Sequence, residues 1–330
     1  MQERSDLALA PSTAHGAKFR DQQSLKQGDE QSQIRKEAPP LKPKPEFSPQ
    51  IPENLLKMYS LRALVASALL GTATVQATPF EINDFSCKSD SNPIILLHGL
   101  GATYYEDTNL MQFWLQNQGY CTYSLTYGAY DEFPLVGGLK HVSDSATEIA
   151  SYIRKVVHET GKSKVDLIGH SEGALQTLYV AKFENVSHII DKIVPIAPPT
   201  HGTSFANLYK AATVFDGKNG KGVKDALEKA GCGACSDLVS GGAAIKQLND
   251  GNPIVQPGNS VTIVTSKFDE LVTPVDSSFV REAGVRNLYI QDICPFDPVG
   301  HIGEAYDLNV WELVKNVLDS TPDRRFVCVV

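Results

Sequence analysis

Apolar residues are spread unevenly along this chain. From residue 93 onward they gather into short continuous runs, separated by stretches with helical spacing. Pro93-Ile-Ile-Leu-Leu97, Val165 to Ile168, Lys192 to Ile196, Val261 to Thr265 and Asn287 to Gln291 read as strands, with Tyr120 to Leu125 as a further candidate. An uninterrupted apolar run is what a parallel strand covered on both faces requires. Residues 143–159 place Ile149, Ile153 and Val157 on one helical face, with Ser145 and Glu148 at capping-box spacing. Residues 172–184 predict a second helix. Residues 308–318 predict a closing one, with Val310, Leu313, Val314 and Leu318 apolar. This alternation predicts an α/β fold: a mostly parallel central sheet with helices on both faces.

Residues 1–57 lack such periodicity. They are polar, and residues 39–52 contain six prolines. Proline fixes φ and removes an amide donor, so an extended, disordered extension is expected. Met58 then opens a segment laid out like a secretory signal peptide. Arg62 supplies charge, Ala63 to Leu70 form a short apolar core, and Val75-Gln76-Ala77 offers a small-residue cleavage site. The apolar run is shorter than the ~20 residues of a membrane span, so no stable transmembrane span is expected in the mature chain. A leader preceded by 57 residues suggests that Met58 is the true start and residues 1–57 an artefact of the gene model. If the extension is translated, residues 58–77 become an uncleaved anchor. Residues 78–330 are then expected to form one secreted, extracellular domain.

Charge and cysteine content narrow the partners and the compartment. Residues 78–330 keep 20 of the 30 basic and 30 of the 38 acidic residues, a net charge of −10. Nucleic-acid partners leave a basic patch or stripe, so none is expected; neutral substrates remain open. The six cysteines are Cys87, Cys121, Cys232, Cys235, Cys294 and Cys328. An even number in a secreted chain suggests bridges without fixing their pairing. Nearest-neighbour pairing gives Cys87–Cys121, Cys232–Cys235 and Cys294–Cys328. A redox or zinc site is the rival for Cys232-Gly-Ala-Cys235, but no second such motif accompanies it. Asn185-Val-Ser187 is the only N-x-[ST] sequon, a glycosylation candidate at Asn185 in a eukaryotic host.

The segment richest in chemistry is Val165-Asp-Leu-Ile-Gly-His-Ser-Glu-Gly-Ala174. Gly169-His-Ser171-Glu-Gly173 matches G-x-S-x-G between a predicted strand and a predicted helix, the context in which that motif lifts a serine above the sheet edge. A serine hydroxyl needs a base, and here the chain order should be Ser, acid, His. His188, His201 and His301 follow Ser171. His301 lies in a loop after the last predicted strand and is the best base. His188 comes soon after the nucleophile helix, and His201 precedes the best acid. That acid is Asp269, just after the Val261 strand; Glu270 is the runner-up, and Asp297 shares the loop of His301. Backbone donors for a developing oxyanion are expected from Glu172, next to the nucleophile, and from Leu100 in the glycine-rich His98-Gly-Leu-Gly101 loop. His98 itself reads as a structural turn residue.

Taken together, several ordered motifs resemble the class 2 triacylglycerol lipases and esterases, a secreted microbial family. They are Pro93-Ile-Ile-Leu-Leu-His-Gly99, Tyr127-Gly128, Lys164-Val-Asp-Leu-Ile-Gly-His-Ser-Glu-Gly173, Ala197-Pro-Pro-Thr-His-Gly-Thr203, Asp269-Glu-Leu-Val-Thr-Pro274 and Gln291-Asp-Ile-Cys-Pro295. The match spans roughly residues 87–328. The resemblance implies an α/β-hydrolase fold with a Ser171–Asp269–His301 triad, disulfides among the six cysteines, and hydrolysis of triacylglycerols or simpler esters. The expected partner is a lipid or small ester, met at a lipid–water interface. This chain has Ala174 where many members carry a second glycine, and Glu172 where Gln is common. Neither change removes a catalytic group. The acyl transfer it implies requires no metal or organic cofactor; a structural Ca²⁺ stays open. Residues 205–230 carry Phe205, Leu208, Tyr209 and Ala212 at helical spacing, which fits a small lid or a packed surface helix equally. Two rivals fit the same residues: a polyester or amide hydrolase or acyltransferase using this triad, and a catalytically inactive surface-binding protein.

Overall fold

The computed structural model describes residues 82–205 and 221–329. The expected extension (1–57), the signal segment (58–77) and residues 206–220 of the lid candidate lie outside the described residues.

Six parallel strands form one sheet: β1 (Ile94–Leu97), β2 (Thr122–Ser124), β3 (Val165–His170), β4 (Ile190–Ile196), β5 (Ser260–Thr265) and β6 (Arg286–Tyr289). Their order across the sheet is β2-β1-β3-β4-β5-β6. The direction of progression reverses between β1 and β3, which makes the crevice beyond their carboxyl ends the natural place for a ligand. Along β1 the side chains alternate between two cores. Ile95 and Leu97 join one with Leu167, Ile193 and Ile263; Ile94 and Leu96 join the other with Ile168, Val194 and Val264. Strand β1 reads as a continuous apolar run because both its faces are covered.

The first face is covered by α2 (Val142–Thr160) and α3 (Glu172–Phe183), through Ile149, Ile153, Val156, Leu175 and Leu178. The second is covered by α1 (Asn109–Asn117) and α8 (Leu308–Leu318), through Met111, Leu115, Val310, Trp311 and Val314. Four shorter helices, α4 (Lys221–Lys229), α5 (Gly233–Leu238), α6 (Ala243–Leu248) and α7 (Ile290–Ile293), complete the described α-helices.

Several boundaries differ from the sequence expectation. Helix α2 starts at Val142, with His141 as N-cap and no side-chain cap bond. Ser145 is buried inside the helix rather than capping it. The cap comes from another element: Asp237 Oδ2 accepts the Val142 amide at 3.0 Å. Glu148 instead accepts the Gly128 amide and pairs with Lys140, both at 2.9 Å. The far end follows the local signal, since Gly161 caps it with φ of 68°, a conformation glycine adopts without steric cost. The last strand ends at Tyr289, where the chain turns into α7. Disulfides join Cys87 to Cys121, Cys232 to Cys235 and Cys294 to Cys328.

Candidate active site

Strand β3 runs into α3 through a turn too tight for side chains. A Cβ on Gly169 would lie 2.2 Å from the Gly173 carbonyl oxygen, and one on Gly173 would lie 2.3 Å from the Leu97 oxygen. Both glycines of the motif are therefore sterically required. Ser171 occupies the apex at φ 55°, ψ −119°, a region that non-glycine residues enter only when the surroundings enforce it. Its amide is held by the Ile196 carbonyl at 2.9 Å.

From this apex a chain of hydrogen bonds runs inward. Ser171 Oγ lies 2.9 Å from His301 Nε2, and His301 Nδ1 lies 2.8 Å from Asp269 Oδ2. The other carboxylate oxygen of Asp269 accepts the amides of Leu271 and Val272 at 2.9 and 2.8 Å. Those amides fix which oxygen faces the imidazole. Both His301 and Asp269 are buried. Glu270 points elsewhere: its Oε2 accepts the His301 backbone amide at 3.0 Å. Asp297 binds Asn309 Nδ2 and the Val299 amide. His188 is exposed, and the exposed ring of His201 meets the Phe279 carbonyl.

The loop after β1 approaches the same apex. A Cβ on Gly99 would stand 3.2 Å from Ser171 Cβ. Beyond it, the Leu100 amide meets no acceptor among the described residues. Glu172 begins α3, so its amide is one of the donors a helix start leaves without an intrahelical partner. His98 is fully buried and stacked on Tyr127, with ring centroids 4.3 Å apart. Its Nδ1 donates to the Gly99 carbonyl and its Nε2 accepts the Tyr127 amide, which fixes the neutral tautomer. Burial holds its pKa below the usual histidine value. Asn185 is exposed at φ 53° in the turn after α3.

Three further ionisable groups lie close by, and no local pattern marks their side chains as part of the site. Glu172 and Glu304 are fully buried. Burial pushes both carboxyls well above the ordinary range; the charge of Asp237 adds to it for Glu172, and that of Asp269 for Glu304. Each has one carboxyl oxygen without a hydrogen-bond partner among the described residues. Asp269, His301 and Glu304 each bring a potential metal ligand atom to within 4.8 Å of the others. His301 Nδ1 is engaged by Asp269 and its Nε2 by Ser171, so neither ring nitrogen is open to a cation. The third group, Asp107, faces His170, the residue before the nucleophile, at 2.9 Å. Asp107 lies in a segment without recognisable periodicity, and His170 occupies a variable position of the motif.

A family model described as Lipase (class 2) matches residues 91–283. Among characterised proteins, the chain is 28% identical over 155 residues to a triacylglycerol lipase of Burkholderia plantarii, covering 44% of this chain and 40% of that one. It is 29% identical over 123 residues to a triacylglycerol lipase of Pseudarthrobacter phenanthrenivorans, covering 35% of each. The chain thus spans well under half the length of these relatives. Among solved structures, Aspergillus fumigatus lipase B superposes with a TM-score of 0.53 at 18% identity, over 73% of this chain and 55% of that one. Bacillus licheniformis lipase BlEst2 in its propeptide form gives 0.50 at 14% identity, over 76% and 54%. At such identities the likeness is one of fold.

Proposed function

The chain belongs to the class 2 lipase family, and from that premise we propose that it hydrolyses carboxylic esters, triacylglycerols among them, through an acyl-enzyme on Ser171. The observation that carries this reading is the continuous hydrogen-bonded path from Ser171 Oγ through His301 to Asp269. In the proposed reaction His301 Nε2 takes the Ser171 proton as Oγ attacks the ester carbonyl. Asp269 keeps the proton on Nδ1 and stabilises the imidazolium that forms. The amides of Leu100 and Glu172 hold the oxyanion. His301 then protonates the leaving alcohol, and water releases the acyl group by the same steps. Exposed apolar side chains next in sequence to the acid and base, Phe268 and Ile302, support a lipid ester as substrate. Three disulfides together with the leader-like segment support secretion, since such bridges persist in oxidising compartments.

The test is hydrolysis of p-nitrophenyl esters of graded chain length by the full chain, with fluorophosphonate labelling mapped by peptide mass. Ser171 should carry the label. Ser171→Ala should lose turnover by up to ~10⁶-fold, as removal of a triad nucleophile does, while its circular dichroism stays that of the wild type. Label on another residue, or substantial turnover by the alanine variant, rejects the assignment.

A further inference from the structure

Behind the proposed triad lies a second buried histidine–carboxylate pair that the reaction does not use. His170 is the last residue of β3, and its side chain is almost completely enclosed. Its Nδ1 lies 2.9 and 3.1 Å from the two oxygens of Asp107, and its Nε2 lies 2.9 Å from the His301 carbonyl oxygen. A carboxylate and a carbonyl only accept, so both ring nitrogens must donate and His170 is an imidazolium. Asp107 Oδ2 also accepts the Gly99 amide at 2.6 Å. Asp107 is itself held in a π-helical turn, Tyr104–Thr108, closed by a capping box between Thr103 and Glu106. Such turns are rare and concentrate at functional sites.

Three segments of the site therefore meet on one ion pair: the loop with Leu100, the elbow with Ser171, and the loop with His301. We propose that Asp107 and His170 form an ionised clamp that positions the oxyanion loop and the base-bearing loop around Ser171. This rests on the reading of Ser171 and His301 as nucleophile and base. Asp107 and His170 are positioning residues; neither lies in the hydrogen-bonded path to Ser171 Oγ. The surrounding charges agree. Burial alone would lower the His170 pKa, but the charge and hydrogen bond of Asp107, the His301 carbonyl and the charge of Asp269 leave it raised. Burial alone would raise that of Asp107, but His170 and the Gly99 amide leave it lowered. Within the clamp, the loop spacing is set by three hydrogen bonds: from the Gly99 amide to Asp107, from His170 Nδ1–H to Asp107, and from His170 Nε2–H to the His301 carbonyl.

Two measurements on the full chain test this. The first is side-chain ¹H–¹⁵N correlation NMR of the histidines, with His170 assigned by its absence in His170→Gln. Both His170 nitrogens should be protonated at a pH where free histidine is neutral; a bare nitrogen there overturns the clamp. The second is ester kinetics. Asp107→Ala removes the Gly99 acceptor and the His170 counter-charge. It should lower kcat by about 10- to 100-fold with KM nearly unchanged, as displacement of a site by around an ångström does. Asp107→Asn should recover most of that loss. Its oxygen can accept Gly99 while its amide donates to a neutral His170, which keeps Nε2–H on the His301 carbonyl. Wild-type kcat in Asp107→Ala, or no recovery in Asp107→Asn, overturns the proposal. Should the alanine variant fail to fold, the asparagine variant and the NMR decide. If the wild type hydrolyses no ester and Ser171 takes no label, the proposed function fails, while the NMR on that same sample still reports the charge of the clamp.

Discussion

Substituting Asp269 with Asn tests the proposed acid more sharply than its deletion, because the surroundings dictate how the new amide sits. In the native site Oδ1 accepts two backbone amides, from Leu271 and Val272, and Oδ2 accepts His301 Nδ1–H. An asparagine must keep its oxygen toward the two amides, since turning its NH₂ there would set donor against donor. The NH₂ then faces His301 and donates to Nδ1. That forces the imidazole proton onto Nε2, the atom 2.9 Å from Ser171 Oγ, and a protonated Nε2 cannot accept the serine proton. Wrong-tautomer substitutions of this kind lower kcat by about 10⁴-fold, which corresponds to about 5 kcal/mol of transition-state stabilisation. Glu270→Gln is the control. Its oxygen can still accept the His301 backbone amide, so it should cost no more than about tenfold, the scale of one hydrogen bond. The assay is steady-state hydrolysis of a soluble p-nitrophenyl ester, with urea unfolding to show that both variants are folded. Turnover by Asp269→Asn within tenfold of wild type, or a larger loss in Glu270→Gln than in Asp269→Asn, would refute the assignment of the acid.

Two stability predictions follow from buried groups and bridges. Burial raises the pKa of the Glu304 carboxyl well above the usual range in the folded state, while in the unfolded chain it ionises above about pH 4.3. The stability it contributes is therefore full below that pH and falls as pH rises toward the folded pKa, with a slope of about 1.4 kcal/mol per pH unit. Glu304→Gln should remove that fall, so the variant gains on the wild type in urea titrations as pH rises from about 4.3 toward the folded pKa; parallel pH profiles would count against a raised Glu304 pKa. The bridges should rank by loop length. Cys294–Cys328 closes a separation of 34 residues and Cys232–Cys235 one of 3. Paired Cys→Ser changes should cost about 3.8 and about 1.6 kcal/mol respectively in the chain-entropy model. Equal losses in urea midpoint at unchanged m-value would contradict that ordering.

How far the sequence was readable depends on how local each determinant is. The strands were legible because burial on both faces leaves an unbroken apolar run such as Ile94–Leu97, which needs no partner to be recognised. The Ser171–His301–Asp269 contact was legible for a different reason. The elbow motif names its own strand and helix, the chain order then narrows the base to three histidines, and only one of them follows the last strand. Where a determinant is supplied from afar, the reading failed. The start of α2 lies within one residue of the expected 143, but its cap is Asp237, 95 residues away, and not the nearby Ser145. The Asp107–His170 contact joins residues 63 apart, and the His170–His301 contact joins residues 131 apart. Neither leaves a periodic trace. His170 also stands at a position where the motif accepts any residue, so nothing local marks it as ionised. Its charge follows only from what the fold sets opposite its two nitrogens, a carboxylate on one side and a backbone carbonyl on the other. The same logic separates the two carboxyls at 269 and 270. In the chain they are adjacent and chemically near-equivalent. In the fold one meets the imidazole, while the other meets the backbone amide of the same histidine. One side chain is therefore placed to orient a proton and the other to hold the loop, a division that spacing alone cannot encode.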